Sequence, residues 1–244
     1  MNKIFYHIHP LLRGIDKRVN RGWVIERCAF SKAGGYCFFR IPKSANSTIT
    51  RTLAYYDDSI DYAVDGDPAT NVAKKKFGNL LSTGAWRAEG LRKYFLFTFV
   101  RNPYSRLLSA YLSKIVHGSK PIWQNKRAEL AVFSGKEGIP SFATFVDYLE
   151  KGGLYADPHW CPQVNLIPVP VSMLSFVGKV ETIDEDIPRL VDKLFGEGKF
   201  QEIKTREAGR RGASNQLAEY YTDDIKERVY ALYKSDFETF QYPK

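Results

Sequence analysis

Residues 42–48, Pro-Lys-Ser-Ala-Asn-Ser-Thr, set one ammonium group ahead of a run of small and hydroxyl-bearing side chains. Where such a loop leaves a strand and opens a helix, its backbone N–H groups converge on one spot, a natural seat for phosphate or sulfate. Small residues Ser44, Ala45 and Ser47 let the backbone close round an anion, Asn46 completes the turn, and Ser47 and Thr48 add hydroxyl donors. Lys43 can reach an oxygen that carries developing charge. The order differs from GxxxxGK[ST], in which the lysine follows the glycines; here the lysine comes first and no glycine is present. Taken alone, the segment reads equally well as an ordinary strand-to-helix turn with a capping serine. A second group is Arg101 with Ser109, eight residues on. Tyr104, Leu107, Leu108, Tyr111 and Ile115 make an apolar stripe, which puts Ser105 and Ser109 together on the polar flank, one turn apart. Arg101 and a serine of that flank could grip a further phosphate through forked, charge-assisted bonds. The plainer alternative is a salt bridge beside a helix serine.

Other chemistries find less support. Three cysteines, Cys28, Cys37 and Cys161, without a CxxC pair argue against a disulfide framework and fit a reducing compartment. The four histidines (His7, His9, His117 and His159) lack metal-binding spacing, so no metal is expected. Thirty-six basic against 27 acidic side chains give a formal +9, which favours an anionic partner such as a nucleotide or an acidic polysaccharide. No nucleic-acid recognition motif accompanies that charge. No apolar run approaches the roughly 18 residues of a membrane span, and the first residues lack a secretory signal. A cytoplasmic protein, staying where it is made, is the expectation.

These residues need a scaffold, and 244 residues with 44% hydrophobic content suit one large α/β domain. Residues 35–41 and 94–100 read as short, fully buried strands, each running into a helix. A third strand is expected at 175–179. Helices are expected at 142–150, at 187–195 (stopped by Gly196) and at about 223–240, whereas 57–90 reads as loop with a helical turn or two. Residues 114–140 look like a charged, Gly/Pro-containing insertion. The alternation of strand and helix predicts a parallel sheet covered on both faces.

Together the two motifs, RIPKSANSTI and, about fifty residues on, FTFVRNPYSRLLSAY, resemble the nucleotide-binding signatures of sulfotransferases that use 3′-phosphoadenosine-5′-phosphosulfate (PAPS). The match is closest to the carbohydrate O-sulfotransferases of the chondroitin 4-O branch. HWCPQVNLIPVPVSMLSFVGKVET and the aromatic-rich tail AEYYTDDIKERVYALYKSDFETFQY resemble further segments of that branch. The resemblance implies a P-loop-like sulfotransferase fold over residues 1–244 as a single domain, with its core at about 36–242. It implies PAPS as co-substrate, a carbohydrate acceptor and no metal. In such enzymes Lys43 would donate to the bridging oxygen, Ser44 to Thr48 would hold the 5′-phosphosulfate, and Arg101 with Ser109 would hold the 3′-phosphate. The resemblance also implies that Arg210 or Arg211, in a late basic loop with Arg206, touches the 3′-phosphate, with solvated surface or an acidic glycan as equal alternatives for that loop. His159 is the candidate base, with ordering of its loop as the rival role and Glu181 and His117 in reserve. Relatives in animals carry a membrane anchor and a cysteine pair after the HW segment, where this chain has residues such as Ile167 and Pro170; both departures fit a cytosolic, bacterial member, with the Golgi lumen as the alternative if an N-terminal anchor lies outside this sequence. A kinase-like phosphotransferase using ATP and magnesium, or a silent nucleotide- or glycan-binding module, are the competing functions.

Overall fold

The computed structural model describes residues 9–60, 70–201 and 216–244. In chain order its main elements are α1 (Arg21–Glu26), β1 (Cys28–Ser31), β2 (Tyr36–Phe39), α2 (Asn46–Tyr56), α3 (Thr70–Lys76), β3 (Phe95–Val100), α4 (Pro103–Ala110), α5 (Pro121–Ser134), α6 (Phe142–Glu150), β4 (Phe176–Lys179), α7 (Ile183–Phe195), α8 (Leu217–Tyr220) and α9 (Asp223–Phe240). The chain divides into two compact units, Met1–Val100 with Asn165–Arg206, and Arg101–Val164 with Glu207–Lys244.

The first unit is built on a sheet of order β1-β2-β3-β4. Strands β2, β3 and β4 are parallel, with Phe38 opposite Phe97 and Phe97 opposite Phe176. Runs such as YCFF and FLFTFV suit this position because a strand buried on both faces carries apolar side chains without alternation. One face bears Tyr36, Phe38, Phe97 and Phe99 and packs on Ile49 and Leu53 of α2, Phe77 just beyond α3, and Ile187, Leu190 and Val191 of α7. Each such fully buried side chain contributes about 1.5–3 kcal/mol. The sheet departs from the expected all-parallel form at β1, which pairs antiparallel with β2. Only residues 32–35 separate the two strands, too few for a crossover, and Gly35 takes the left-handed conformation that closes the turn (φ 69°).

The second unit is helical. Leu107, Leu108, Phe145, Val146, Leu149, Trp160, Val229, Tyr233 and Phe237 form its centre. Helix α6 runs over the expected residues, capped by Ser141, whose side chain accepts from the Thr144 amide. Helix α9 likewise begins where Thr222 accepts from the Ile225 amide. Beyond α4 the chain continues as a π-helical turn, Tyr111–Val116. The stretch read as an insertion holds α5, started by Pro121 and ended at Gly135 in the left-handed region (φ 66°). Only Trp123 and Leu130 of α5 are buried, while Ile122 and Val132 lie exposed, so no clean apolar stripe marked it.

Candidate functional site

The chain leaving β2 turns sharply before α2. Lys43 (φ 69°) and Ala45 (φ 52°, ψ 14°) both occupy the left-handed region, which costs a side-chain-bearing residue about 1–3 kcal/mol. Between them Ser44, wholly buried, keeps negative φ. Left-handed residues alternating with right-handed ones turn successive N–H groups to one side, a concavity that binds anions. Ala45 is the N-cap of α2 and has no side chain to satisfy the first turn. The capped turn that the sequence also allowed is therefore not what forms. Strain without a cap is the arrangement expected where a ligand, rather than the chain, completes the helix start. Lys43, Asn46 and Thr48 are half-buried and Ser47 is exposed.

In the second unit Arg101 stands at the start of α4, only 5% exposed. Its Nε donates to Ser105 Oγ at 3.0 Å. Ser105 is thus buried against Arg101 and not on an outer polar flank, as the helical stripe had implied; Ser109 is half-buried. The Arg101 main chain is gripped from both ends by one amide: its N–H donates to Gln163 Oε1 (3.0 Å) and its carbonyl accepts from Gln163 Nε2 (2.8 Å). Gln163 is in turn held by Asp236 of α9, whose carboxylate accepts from the amides of Gln163 (2.8 Å) and Val164 (3.0 Å). Burial pushes the Asp236 carboxyl up, against the pull of the Arg106 guanidinium and these amides.

The same unit fixes the segment that carries His159. Arg106, completely buried, donates to the carbonyls of Pro158 (3.1 Å) and Cys161 (2.9 Å), one on either side of the His159–Trp160 pair. Burial pulls the Arg106 guanidinium down, opposed by the nearby Asp236 charge. Trp160 is buried, its indole N–H donating to the Gly153 carbonyl at 2.9 Å, and the Tyr233 hydroxyl donates to the Trp160 carbonyl. Asp157 Oδ1 lies 2.8 Å from the His159 amide and 2.6 Å from Nδ1. The Trp123 ring meets the imidazole edge-to-face, with centroids 5.3 Å apart.

Sequence reasoning missed Arg106, Asp157, Gln163 and Asp236. All four lie inside or beside the segments that carried the family resemblance, and no residue pattern of their own marked them. The reserve residues His117 and Glu181 are exposed. Arg206, Arg210 and Arg211 lie outside the described residues. Among the described residues, no group of three or more His, Cys, Asp or Glu side chains converges as metal ligands would.

Comparison with known proteins decides what these motifs belong to: the family model described as "Sulfotransferase family" matches residues 30–243. The chain belongs to the sulfotransferase family. Its mixed α/β architecture, a mostly parallel sheet flanked by helices, agrees with the fold of that family. Among curated sulfotransferases it is 29% identical over 182 residues to carbohydrate sulfotransferase 12 of Mus musculus, covering 63% of this chain and 41% of that protein. It is 26% identical over 168 residues to carbohydrate sulfotransferase 14 of Danio rerio, covering 63% and 45%. It is 24% identical over 255 residues to carbohydrate sulfotransferase 10 of Gallus gallus, covering 95% and 70%. Against the first of these the chain spans about two fifths of the relative's length. No solved structure matches the chain significantly. No helix among the described residues is long and apolar enough to cross a membrane.

Proposed function

We propose that this sulfotransferase moves the sulfuryl group of PAPS to a hydroxyl of a carbohydrate. The observation that carries the reading is the strained loop at Lys43 and Ala45, opening onto a helix without a side-chain cap. The names of its relatives support the carbohydrate, and the +9 formal charge favours an acidic one. The family match runs through both compact units, which supports treating them as one catalytic domain. The sparse, buried cysteines Cys28, Cys37 and Cys161 support a reducing, cytoplasmic setting.

Sulfuryl transfer, like phosphoryl transfer, needs in-line positioning and stabilisation of the charge that builds on the leaving oxygen. The residues present fit that donor. The main chain and hydroxyls from Ser44 to Thr48 hold the 5′-phosphosulfate, and Lys43 donates to the bridging oxygen as its bond to sulfur breaks. A preorganised donor of this kind supplies about 3 kcal/mol to the transition state. Arg101, kept in place by Ser105 and Gln163, is assigned to the 3′-phosphate beside Ser109 through its guanidinium charge, and Arg210 and Arg211 are assigned to the same phosphate. His159 takes the acceptor proton. The reaction requires no metal, because the lysine and backbone donors meet the charge that magnesium offsets in kinases.

The test uses radiolabelled PAPS with a panel of neutral and acidic oligosaccharides. Lys43→Ala is expected to lose on the order of 10²-fold or more in transfer while binding 3′,5′-phosphoadenosine within a few-fold of the parent. Near-normal transfer by Lys43→Ala would remove the lysine from the mechanism.

A further inference from the structure

Arg101 lies two residues ahead of Pro103, where α4 begins, and both of its main-chain groups are met by one side chain. The Gln163 amide accepts from the Arg101 N–H at 3.0 Å and donates to the Arg101 carbonyl at 2.8 Å. A residue of a facing antiparallel strand offers the same donor and acceptor, so this side chain does for Arg101 what a strand partner does. The amide is itself fixed. Asp236 Oδ2 accepts from the Gln163 N–H at 2.8 Å, and Oδ1 accepts from the Val164 N–H at 3.0 Å. Gln163 and Asp236 are both wholly buried, so bulk water does not compete for these bonds. At the head of the Arg101 side chain, the Ser105 hydroxyl accepts from Nε at 3.0 Å and donates to the Asn102 carbonyl at 3.2 Å. Directed bonds thus run from α9 through Gln163 to the Arg101 main chain, and from its guanidinium to the first turn of α4.

We propose that Gln163, anchored by Asp236, is a positioning residue that sets where the Arg101 guanidinium meets the 3′-phosphate of the donor; this rests on the reading above that assigns Arg101 to that phosphate. An arginine side chain carries a large rotamer entropy. A root fixed by Gln163 and a head fixed by Ser105 reduce what nucleotide binding must still order. The role needs a donor and an acceptor side by side, which an amide supplies and an ionised carboxylate, an acceptor only, does not. A protonated carboxyl supplies both again, since its carbonyl accepts and its hydroxyl donates. Gln163→Glu therefore gives the amide a titratable stand-in. Burial and the Asp236 charge favour its protonated form, and the Arg101 and Arg106 charges oppose it. Asp236 and Tyr233 of α9, Arg106 of α4, and Asp157 and Cys161 just before Gln163 are the charged or titratable groups of this framework besides Arg101.

The experiment is calorimetry on the full chain with 3′,5′-phosphoadenosine and with adenosine 5′-monophosphate. The two nucleotides differ only in the 3′-phosphate, so their affinity ratio reads its recognition. Gln163→Met removes both amide bonds at similar volume. It is expected to cut the ratio about tenfold, with adenosine 5′-monophosphate bound within a few-fold of the parent. Adding Gln163→Met to Arg101→Ala is expected to lower the ratio no further, because the two act through one group. Asp236→Asn keeps one accepting oxygen and is expected to lose part of the ratio. Gln163→Glu is expected to bind 3′,5′-phosphoadenosine poorly at about pH 8 and to regain affinity towards about pH 5.5. Each value is taken against the parent at the same pH, because the phosphate also titrates in this range. A general loss of packing would not recover on acidification, so this profile decides alone if Gln163→Met does not fold. Parent-like ratios in both Gln163 variants, a Gln163→Glu deficit that persists at low pH, or an equal loss of both nucleotides would overturn this inference alone. A parent-like ratio in Asp236→Asn would overturn the part given to Asp236. A parent chain that binds the two nucleotides alike would overturn the assignment of Arg101 to the 3′-phosphate, and the positioning role with it.

Discussion

At the level of single residues, the proposed site side chains are held by polar neighbours through directed hydrogen bonds. Arg101 shows how. Its Nε donates to Ser105, a directed bond that fixes the planar guanidinium in an orientation a lysine could not reproduce. Arg101→Lys keeps the charge but loses both the fork and the Ser105 bond. It is expected to weaken binding of 3′,5′-phosphoadenosine by about tenfold or more while leaving ADP binding nearly unchanged, as measured by calorimetry. Residue type and spacing drew attention to Lys43 and Arg101, each with a plainer alternative, and the family resemblance gave them roles and added His159. Their supports were not legible in the same way. Ser105 looked like a flank residue because helical periodicity says which face a residue occupies and not which side chain folds back over it. Gln163 acts on the Arg101 main chain and Asp157 in part on the His159 amide, and contacts with main-chain groups leave no pattern of residue types.

At the element scale, the decisive piece is the turn from β2 into α2. Its left-handed residues are lysine and alanine, where glycine would have announced the conformation, so the sequence suggested an anion loop without revealing its strain. Ala45→Gly relieves that strain and is expected to leave stability unchanged or raise it by about 1 kcal/mol, read from urea unfolding. Ala45→Val, β-branched at positive φ, is expected to destabilise by about 1–3 kcal/mol and to reduce donor affinity along with stability. Elements with strong periodicity or uninterrupted apolar runs, such as β2, β3, α6 and α9, were legible within a residue or two. Strand β1 was not, because four residues of CAFS carry too short a pattern. Helix α5 was not, because its apolar residues point in several directions.

At the scale of the whole molecule, buried polar groups tie distant parts of each unit together. In the first unit Asp57 lies under the sheet, where Tyr36 Oη donates to its Oδ2 at 2.7 Å and Ser59 donates to Oδ1. Burial opposes ionisation of this carboxyl, yet hydrogen bonds from Ser31, Ser59 and Tyr36 hold it below the ordinary value of 3.8. A carboxyl depressed on folding stabilises fully above its unfolded value, and that contribution disappears as pH falls through the folded value. Tyr36→Phe is therefore expected to cost about 1.5–3 kcal/mol at pH 7, and progressively less as pH falls below 3.8 and through the lowered folded value, in parallel denaturant titrations. In the second unit Asp236 reaches Arg101 through Gln163, and Arg106 fixes the main chain around His159, so the residues proposed for donor binding and for the base share one buried framework. That framework unites α4, α9 and the His159 segment, which are far apart in sequence, and this separation is why no local pattern disclosed it.

The central claim is that the chain recognises a 3′-phosphorylated adenine nucleotide and acts without a metal. Calorimetric titration with 3′,5′-phosphoadenosine and with ADP, each with and without magnesium, tests it most directly. The account predicts tight, magnesium-independent binding of 3′,5′-phosphoadenosine, clearly weakened by Arg101→Ala. A preference for ADP together with magnesium would contradict it and point to phosphoryl transfer instead.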